Sequence, residues 1–341
     1  MVVLITGKCQ QGCFYCPLSF KKKGKDRIFA DEWELKNEKD IKVLTQEAKL
    51  IEAQGAGITG GDPLYVWQRT KKYIQILKKE FGKNFHIHLY TSGSKNTDKI
   101  KELISVGLDE IRFHPLPYYW DKMEKTKLNK VIKETCKQRI DVAIEIPVIP
   151  EKQKQIISLI SWANKNGVKW VNLNELEFSE TNEIELKKRG YQEKSDISSA
   201  VKNSEKTAKK IIKKTQKNKL TIGIHYCSCS FKDGVQLQNR IKRRAKNIAK
   251  EYEVITDEGT LLKAILTSKK RTLKQIYNIL KEEYTIEKKF LHINREKKQV
   301  ETGVWLIEKI VTDLEKKEIK CYMVEEYPTA DKLEIEKIPL N

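Results

Sequence analysis

The sequence predicts an α/β protein in which six βα units build a parallel sheet, followed by a basic helical segment and a small α+β module. Three observations predict it. Short β-rich runs alternate with amphipathic stretches over the first 175 residues, positive charge is concentrated between Lys202 and Lys250, and the hydrophobic pattern changes again beyond residue 252. A chain of 341 residues, 39% hydrophobic and 33% charged, is long enough for one large domain and a smaller one, and too apolar to be disordered.

The predicted strands are Val2–Thr6, Ala56–Thr59, His86–Tyr90, Glu110–Phe113, Asp141–Pro147 and Trp170–Asn174. Helical periodicity falls between them, over Glu34–Ala53, Trp67–Phe81, Thr97–Val106, Met123–Arg139 and Lys152–Asn166. From Glu177 to Ala200 the periodicity fades into a polar stretch that reads as an insertion or mobile loop. The basic segment then gives a helix over Lys202–Lys217, an apolar run at Leu220–Tyr226 and a second helix from about Val235 to Tyr252. Beyond it, Leu261–Leu266, Phe290–Ile293, Lys320–Val324 and Leu333–Ile338 read as strands, with helices at Leu273–Glu283 and Gly303–Glu315, a βαββαβ-like order. The expected domains are therefore 1–200, 201–252 and 253–341.

Net charge is +20, and residues 202–250 carry 15 Lys and Arg against Glu205 and Asp233. Helices of this charge can follow phosphates, so a polyanion is the expected partner of Lys202–Lys250. No run reaches the roughly 18 apolar residues of a membrane span, and the first residues have no basic, cleavable leader. The expectation is a cytoplasmic protein without a membrane partner. Seven cysteines, an odd number, argue for thiols or metal ligands rather than disulfides.

Three of those cysteines lie within eight residues just after the first strand, Cys9-Gln-Gln-Gly-Cys13-Phe-Tyr-Cys16. Three thiolates on one short loop can hold three irons of a [4Fe-4S] cubane and leave the fourth iron open. A structural zinc site would want four ligands in two separated pairs, and no second pair stands at finger spacing. With Tyr15 before the third cysteine and Gly60-Gly61-Asp62-Pro63 after the second strand, the sequence resembles the radical S-adenosylmethionine (radical SAM) superfamily, in a branch related to pyruvate formate-lyase activating enzyme. The resemblance covers roughly residues 2–176 and implies a partial (β/α)6 radical SAM barrel. Asp62 stands where the family more often has Glu, and the basic segment and α+β module depart from that branch.

The resemblance further implies a [4Fe-4S] cluster on Cys9, Cys13 and Cys16, with S-adenosyl-L-methionine chelating the open iron. Residues Gly60, Gly61, Asp62 and Pro63 would receive its amino group, Thr91 and Ser92 would form the polar end of strand three, Arg112 would face a carboxylate of the methionine moiety or of a substrate, and Ile144 would lie on the edge that packs on adenine. Tyr15 joins this cofactor-binding set. His114, before Pro115, is either a turn residue or a ligand; Glu145 belongs on the pocket side or in an ion pair; and Asn172 and Asn174 share a face that excludes Glu175. His225-Tyr-Cys227-Ser-Cys229 leaves three readings open: a second metal site, two free thiols beside a core histidine, or a hydrogen-atom donor. Such an enzyme draws electrons from a donor such as ferredoxin or flavodoxin, cleaves S-adenosylmethionine reductively and abstracts hydrogen from a substrate. The charge makes RNA, in particular tRNA, the first expected substrate. The alternatives are a protein- or peptide-directed radical enzyme such as a glycyl-radical activase, and a non-enzymatic RNA-binding Fe–S protein.

Overall fold

The computed structural model describes residues 1–218 and 220–341. It divides into two units, Met1–Lys49 with Ala53–Gly234, and Leu50–Glu52 with Val235–Asn341. The 201–252 segment therefore forms no unit of its own: its two basic helices fall in different units.

In the first unit the strands are β1 (Val2–Leu4), β2 (Ile28–Ala30), β3 (Trp33–Leu35), β4 (Gly55–Thr59), β5 (His86–Thr91), β6 (Glu110–Phe113), β7 (Asp141–Val148), β8 (Trp170–Glu175), a β9–β10 hairpin (Glu193–Ser195 and Ser198–Val201) and β11 (Gly223–Cys227). The helices between them are α1 (Ile41–Leu50), α2 (Trp67–Phe81), α3 (Ile100–Ser105), α4 (Lys127–Cys136), α5 (Gln153–Lys165), α6 (Glu183–Lys188), α7 (Ser204–Lys217) and a single turn, α8 (Cys229–Phe231). Strand order is β11-β8-β7-β6-β5-β4-β1-β2-β3. The pairings from β11 to β1 are all parallel, whereas β2 and β3 add antiparallel. All six expected strands are present, and a seventh parallel strand, β11, extends the sheet. The basic helix α7 is its crossover: Thr207, Ala208, Ile211 and Thr215 are buried, and the lysines face outward.

Period-two alternation gives this sheet two unlike faces. Ile58, Ile87, Leu89, Ile111, Phe113, Ile144, Ile146, Val171 and Leu173 join one apolar core with Tyr73, Leu77, Ile156 and Ile160 from the helices. Each such side chain, fully buried, stabilises by about 1.5–3 kcal/mol. The opposite, inner face is polar, because register aligns Tyr90 with Arg112, His88 with Glu110, Glu145 with Asn172 and His225, and Asn174 with Cys227. Of the two readings of 177–200, insertion or mobile loop, the mobile loop is corrected: the stretch holds regular structure, α6 and the β9–β10 hairpin. Its polar composition hides them because each element is too short to show a period.

The second unit is an antiparallel sheet ordered β14-β15-β13-β16-β17, with β12 also pairing β13. These strands are β12 (Val254–Ile255), β13 (Leu261–Thr267), β14 (His292–Asn294), β15 (Gln299–Thr302), β16 (Lys320–Glu326) and β17 (Glu334–Pro339); its helices are α9 (Gln238–Ile248), α10 (Leu273–Asn278), α11 (Val304–Ile307) and α12 (Val311–Lys316). Ala264, Leu266, Val300 and Cys321 on one face pack with Ile276, Leu280, Ile307 and Leu314. The other face buries charge. Lys263 lies within ion-pair distance of Glu326 (2.9 Å), Glu301 (3.3 Å) and Glu253 (3.7 Å), and all four side chains are at most 4% exposed. Strand β15 escapes a hydrophobic reading for this reason, since its Glu301 is a core residue paired with a lysine.

Candidate active site at the carboxyl end of the parallel strands

Strand β1 delivers the three-cysteine loop to the carboxyl end of the sheet, where ligands of parallel α/β folds bind. The loop turns through the Cys16 amide, which donates to the Cys13 carbonyl at 3.1 Å, and the Gln11 amide points at Cys9 Sγ at 3.3 Å. From the 177–201 region, Thr181 Oγ1 donates to the Cys16 carbonyl (3.1 Å) and Asn182 Nδ2 to the Tyr15 carbonyl (3.2 Å). Phe14 stacks on Tyr191 with ring planes 2° apart, and the Arg189 guanidinium lies 4.4 Å from the Phe14 ring centre. Sequence reasoning missed this clamp on the cluster loop; the signal available was the aromatic and basic content of Lys187-Lys-Arg-Gly-Tyr191.

All three cysteines are unbridged. Burial raises the pKa of Cys9 and Cys13, and the neighbouring thiolates push each further up. Such a group of thiols calls for positive charge, which a metal cluster supplies. Among the described residues, the His, Cys, Asp and Glu groups whose three ligand atoms fall within 4.8 Å of one another do not include this triplet. Thiolates that each hold a different iron must stand farther apart than three ligands of one ion, so the donor set fits a cubane.

The Gly60-Gly61-Asp62-Pro63 turn docks directly on this loop. Gly61 N donates to the Thr6 carbonyl (2.7 Å) and Asp62 N to the Lys8 carbonyl (2.9 Å). A Cβ on Gly60 would lie 2.2 Å from Thr6 O, and one on Gly61 2.2 Å from Lys8 O. The two glycines thus serve first to seat this turn against the cluster loop's own backbone. Asp62 is fully buried and accepts four hydrogen bonds: from Leu64 N (3.0 Å) and Thr91 Oγ1 (2.8 Å) on one oxygen, and from Ser92 N (3.1 Å) and Ser92 Oγ (2.5 Å) on the other. A carboxylate has about four acceptor sites, so this one is saturated. The expectation that the Asp62 side chain receives an amino group is corrected: Asp62 binds Thr91 and Ser92, the polar end of β5, ties the end of β4 to it, and caps the 3-10 turn at Pro63. Only backbone at residues 60 and 61 is left for that role.

Behind the loop, His114 joins two elements. Its Nδ1 donates to the Glu145 carbonyl at 2.7 Å, which makes Nε2 the acceptor for the Tyr15 hydroxyl at 2.9 Å. Burial lowers the His114 pKa and keeps the ring neutral for this arrangement. On the inner face Arg112 donates to Glu110 (2.5 Å), Glu145 (3.0 Å) and Tyr90 (3.2 Å), while Asn172 and Asn174 donate to Glu145 at 3.1 and 2.8 Å. Burial opposes the guanidinium charge, yet Tyr90, Glu145 and Glu110 together hold its pKa above the usual value. Arg112 is therefore a lumen group already neutralised, neither a surface ion pair nor a free anion receptor. Ile144 is corrected too: it is fully buried on the helix-facing side, and the inner face of β7 offers Ala143, Glu145 and Pro147 instead.

His225, Cys227 and Cys229 do not gather as ligands of one ion. Cys227 looks into the lumen at the end of β11, His225 is exposed, and Cys229 is buried in α8 with its thiol 3.2 Å from Glu177 Oε2. Glu177 also binds Lys232 Nζ at 3.1 Å.

The comparisons with known proteins bear on this site. The family model described as Radical SAM superfamily matches residues 3–169. A protein of Methanocaldococcus jannaschii, named "Putative glycyl-radical enzyme activating enzyme MJ0021", is 41% identical over 351 residues, which cover 100% of this chain and 89% of that protein. The chain belongs to the radical SAM superfamily. It is an enzyme, with a [4Fe-4S] cluster and S-adenosylmethionine as radical SAM cofactors. The separate model described as Domain of unknown function (DUF8061) matches residues 259–340, within the second unit. Among solved structures, Streptococcus suis SuiB bound to S-adenosylmethionine superposes with TM-score 0.47 at 12% identity, covering 69% of this chain and 52% of that one. SuiB bound to precursor peptide SuiA gives 0.48 at 13%, covering 72% and 55%. The radical SAM chain thus spans about half the length of SuiB. Among the described residues no helix is long and apolar enough to cross a membrane.

Proposed function

We propose that this radical SAM enzyme acts on a protein, as an activase that takes a hydrogen atom from a glycyl residue of a partner enzyme. The observation that carries this reading is the 41% identity, over the whole chain, to a relative that bears the activating-enzyme name. The ranking of RNA over protein is thereby reversed. The basic segment supplies less to an RNA reading than its charge suggested. Arg243 Nε is committed to the Ile51 carbonyl at 2.7 Å, Arg244 is buried and bonded to the Pro328 carbonyl, Lys232 pairs with Glu177, and Lys219 lies outside the described residues.

Cys9, Cys13 and Cys16 would hold the cluster, and the Gly60–Gly61 backbone would receive the amino group of S-adenosylmethionine. Bound there and reduced by a donor of the ferredoxin or flavodoxin type, the cluster and S-adenosylmethionine would supply the radical chemistry by which a hydrogen atom is taken from the substrate. The chain's residues position and shield. Tyr15 and His114 lock the cluster loop to β7, the Phe14 clamp fixes its outer side, and Glu145, Arg112, Asn172 and Asn174 line the lumen with oriented dipoles and no free net cation. Such a lining suits the peptide groups of an extended strand better than a phosphate backbone. A reducing, cytoplasmic setting suits a chain whose seven cysteines are all unbridged.

The test is anaerobic. Cluster-loaded protein, reductant and S-adenosylmethionine are combined with a protein extract of the source organism, and 5′-deoxyadenosine is quantified after nuclease or protease treatment, with Cys13→Ala as control. The reading expects stimulated product that survives nuclease, disappears with protease and accompanies a glycyl-type doublet in electron paramagnetic resonance. Stimulation abolished by nuclease and restored by purified tRNA would overturn it.

A further inference from the structure

A second group of metal-ligating side chains stands at the other end of the same sheet. His86 and His88 begin β5, two residues apart and hence on one face, and parallel register places Glu110, at the start of β6, beside His88. One ring nitrogen from each histidine and one oxygen of Glu110 all lie within 4.8 Å of one another, the one such group of three among the described residues. His86 Nε2 is 3.7 Å from Glu110 Oε2. Four ligands at about 2.0–2.1 Å around a tetrahedral ion stand about 3.3–3.5 Å apart, so this pair needs only a few tenths of an ångström of closure.

The surroundings hold these groups in place. Glu110 is 2% exposed, and its other oxygen is engaged by Arg112 Nε, which leaves Oε2 turned to the imidazoles. The Tyr90 hydroxyl, itself bonded by Arg112, sits 3.1 Å from His88 Nε2 and sets the ring's orientation, the kind of support that ligating histidines receive from outer partners. Gly57 on β4 makes the room: a Cβ there would lie 2.6 Å from His88 Nε2. The charges that face the group are Glu110 within it, and the Arg112 guanidinium and the Met1 amino group beside it; Arg112 is itself paired with Glu110 and Glu145, and the Met1 amino group is bonded to the Gly55 carbonyl at 2.8 Å. His86 is exposed, which gives an ion a path from solvent and leaves room for water as a further ligand.

We propose that His86, His88 and Glu110 form a mononuclear site for a divalent transition metal of the zinc class, distinct from the iron–sulfur cluster and at the amino end of the parallel strands. Two imidazoles and a carboxylate suit such an ion, with no thiolate in its shell. Zinc there would bridge β5 to β6 at the base of the strands that carry Thr91 and Arg112 at their other ends.

The test uses the cluster-loaded protein, freed of adventitious metal on a chelating resin, titrated with Zn²⁺ and passed through gel filtration. The expected result is one zinc per chain, with a zinc K-edge spectrum that contains only nitrogen and oxygen neighbours at about 2.0–2.1 Å. His86→Ala removes an exposed ligand at little risk to folding and should weaken zinc binding at least tenfold while iron content stays unchanged; Glu110→Gln should do the same. Absence of zinc after gel filtration, sulfur in its shell, or an affinity indifferent to His86→Ala would each overturn the site.

Discussion

The most discriminating perturbation is at Asp62. In Asp62→Asn one carboxylate oxygen becomes an amide NH2. If the amide oxygen keeps Leu64 N and Thr91 Oγ1, the new NH2 faces Ser92 N, a donor that cannot turn away, and Ser92 Oγ, which can. One orphaned buried N–H costs about 1–3 kcal/mol, and the lost charge on the remaining bonds adds about 1 kcal/mol, a sum of about 3 kcal/mol. In a domain of 150–250 residues that lowers the melting midpoint by about 6–12 °C. Asp62→Glu is the sharper control. If this carboxylate were free to meet a ligand, the longer acid would be tolerated; in a saturated, fully buried site the extra methylene overpacks, at about 1–3 kcal/mol. Urea and thermal unfolding of the reduced, cluster-free proteins, followed by circular dichroism, measure both. Loss of less than about 1 kcal/mol in both variants would refute the assignment of Asp62 as a structural tie.

Further outcomes follow from the same geometry. Gly61→Ala drives a methyl into the Lys8 carbonyl, so iron per chain after reconstitution should fall severalfold with the secondary structure retained. Phe14→Ala removes the stack on Tyr191 and the contact with Arg189, about 1–2 kcal/mol, and limited proteolysis should cut within 177–201 faster than in the parent. In the second unit, burial opposes the Glu301 charge, but Lys263, Gln299, Asn294 and Tyr252 hold its pKa down to about 2, well below the usual carboxylate range. A depressed folded pKa contributes stability that is whole above about pH 5 and is lost as pH falls toward 2. Lys263→Met should flatten that slope, because Glu253 then loses its ammonium and Glu301 keeps only the more distant Lys250, whereas Glu326 retains Lys297 and Lys332: the variant is less stable near neutrality and recovers part of the difference on mild acidification, as pH-dependent melts would register.

Much of this was legible in the chain because alternation and spacing are local properties. Val2–Thr6 followed by three cysteines fixes both a strand and the loop at its carboxyl end, and the six strands of the parallel sheet stand where period-two runs put them. The misread parts depend on partners distant in sequence. Nothing near Asp62 reveals that Thr91 and Ser92, some thirty residues on, consume its lone pairs. Ile144 looked like a pocket wall because an apolar strand has no local mark of which side faces helices, whereas Glu145 beside it, tied to Arg112, Asn172 and Asn174, fixes the side. Thr181, Asn182, Arg189 and Tyr191 passed as loop because their work is done on Phe14, Tyr15 and Cys16, more than 160 residues earlier.

The charges beneath the C-terminal sheet bear on how its strands find one another as the chain folds. Slide β13 by one residue against β15 and β16, and Lys263 enters the helix-side packing in place of Ala264 or Leu262, while Glu301 and Glu326 meet alkyl groups. Slide it by two and the ammonium moves roughly 7 Å from its carboxylates. Every misalignment strands a buried charge, at several kcal/mol, whereas the correct one merely satisfies them. The network therefore acts mainly by making wrong pairings costly, and an all-apolar substitute of equal volume would trade that selectivity for stability.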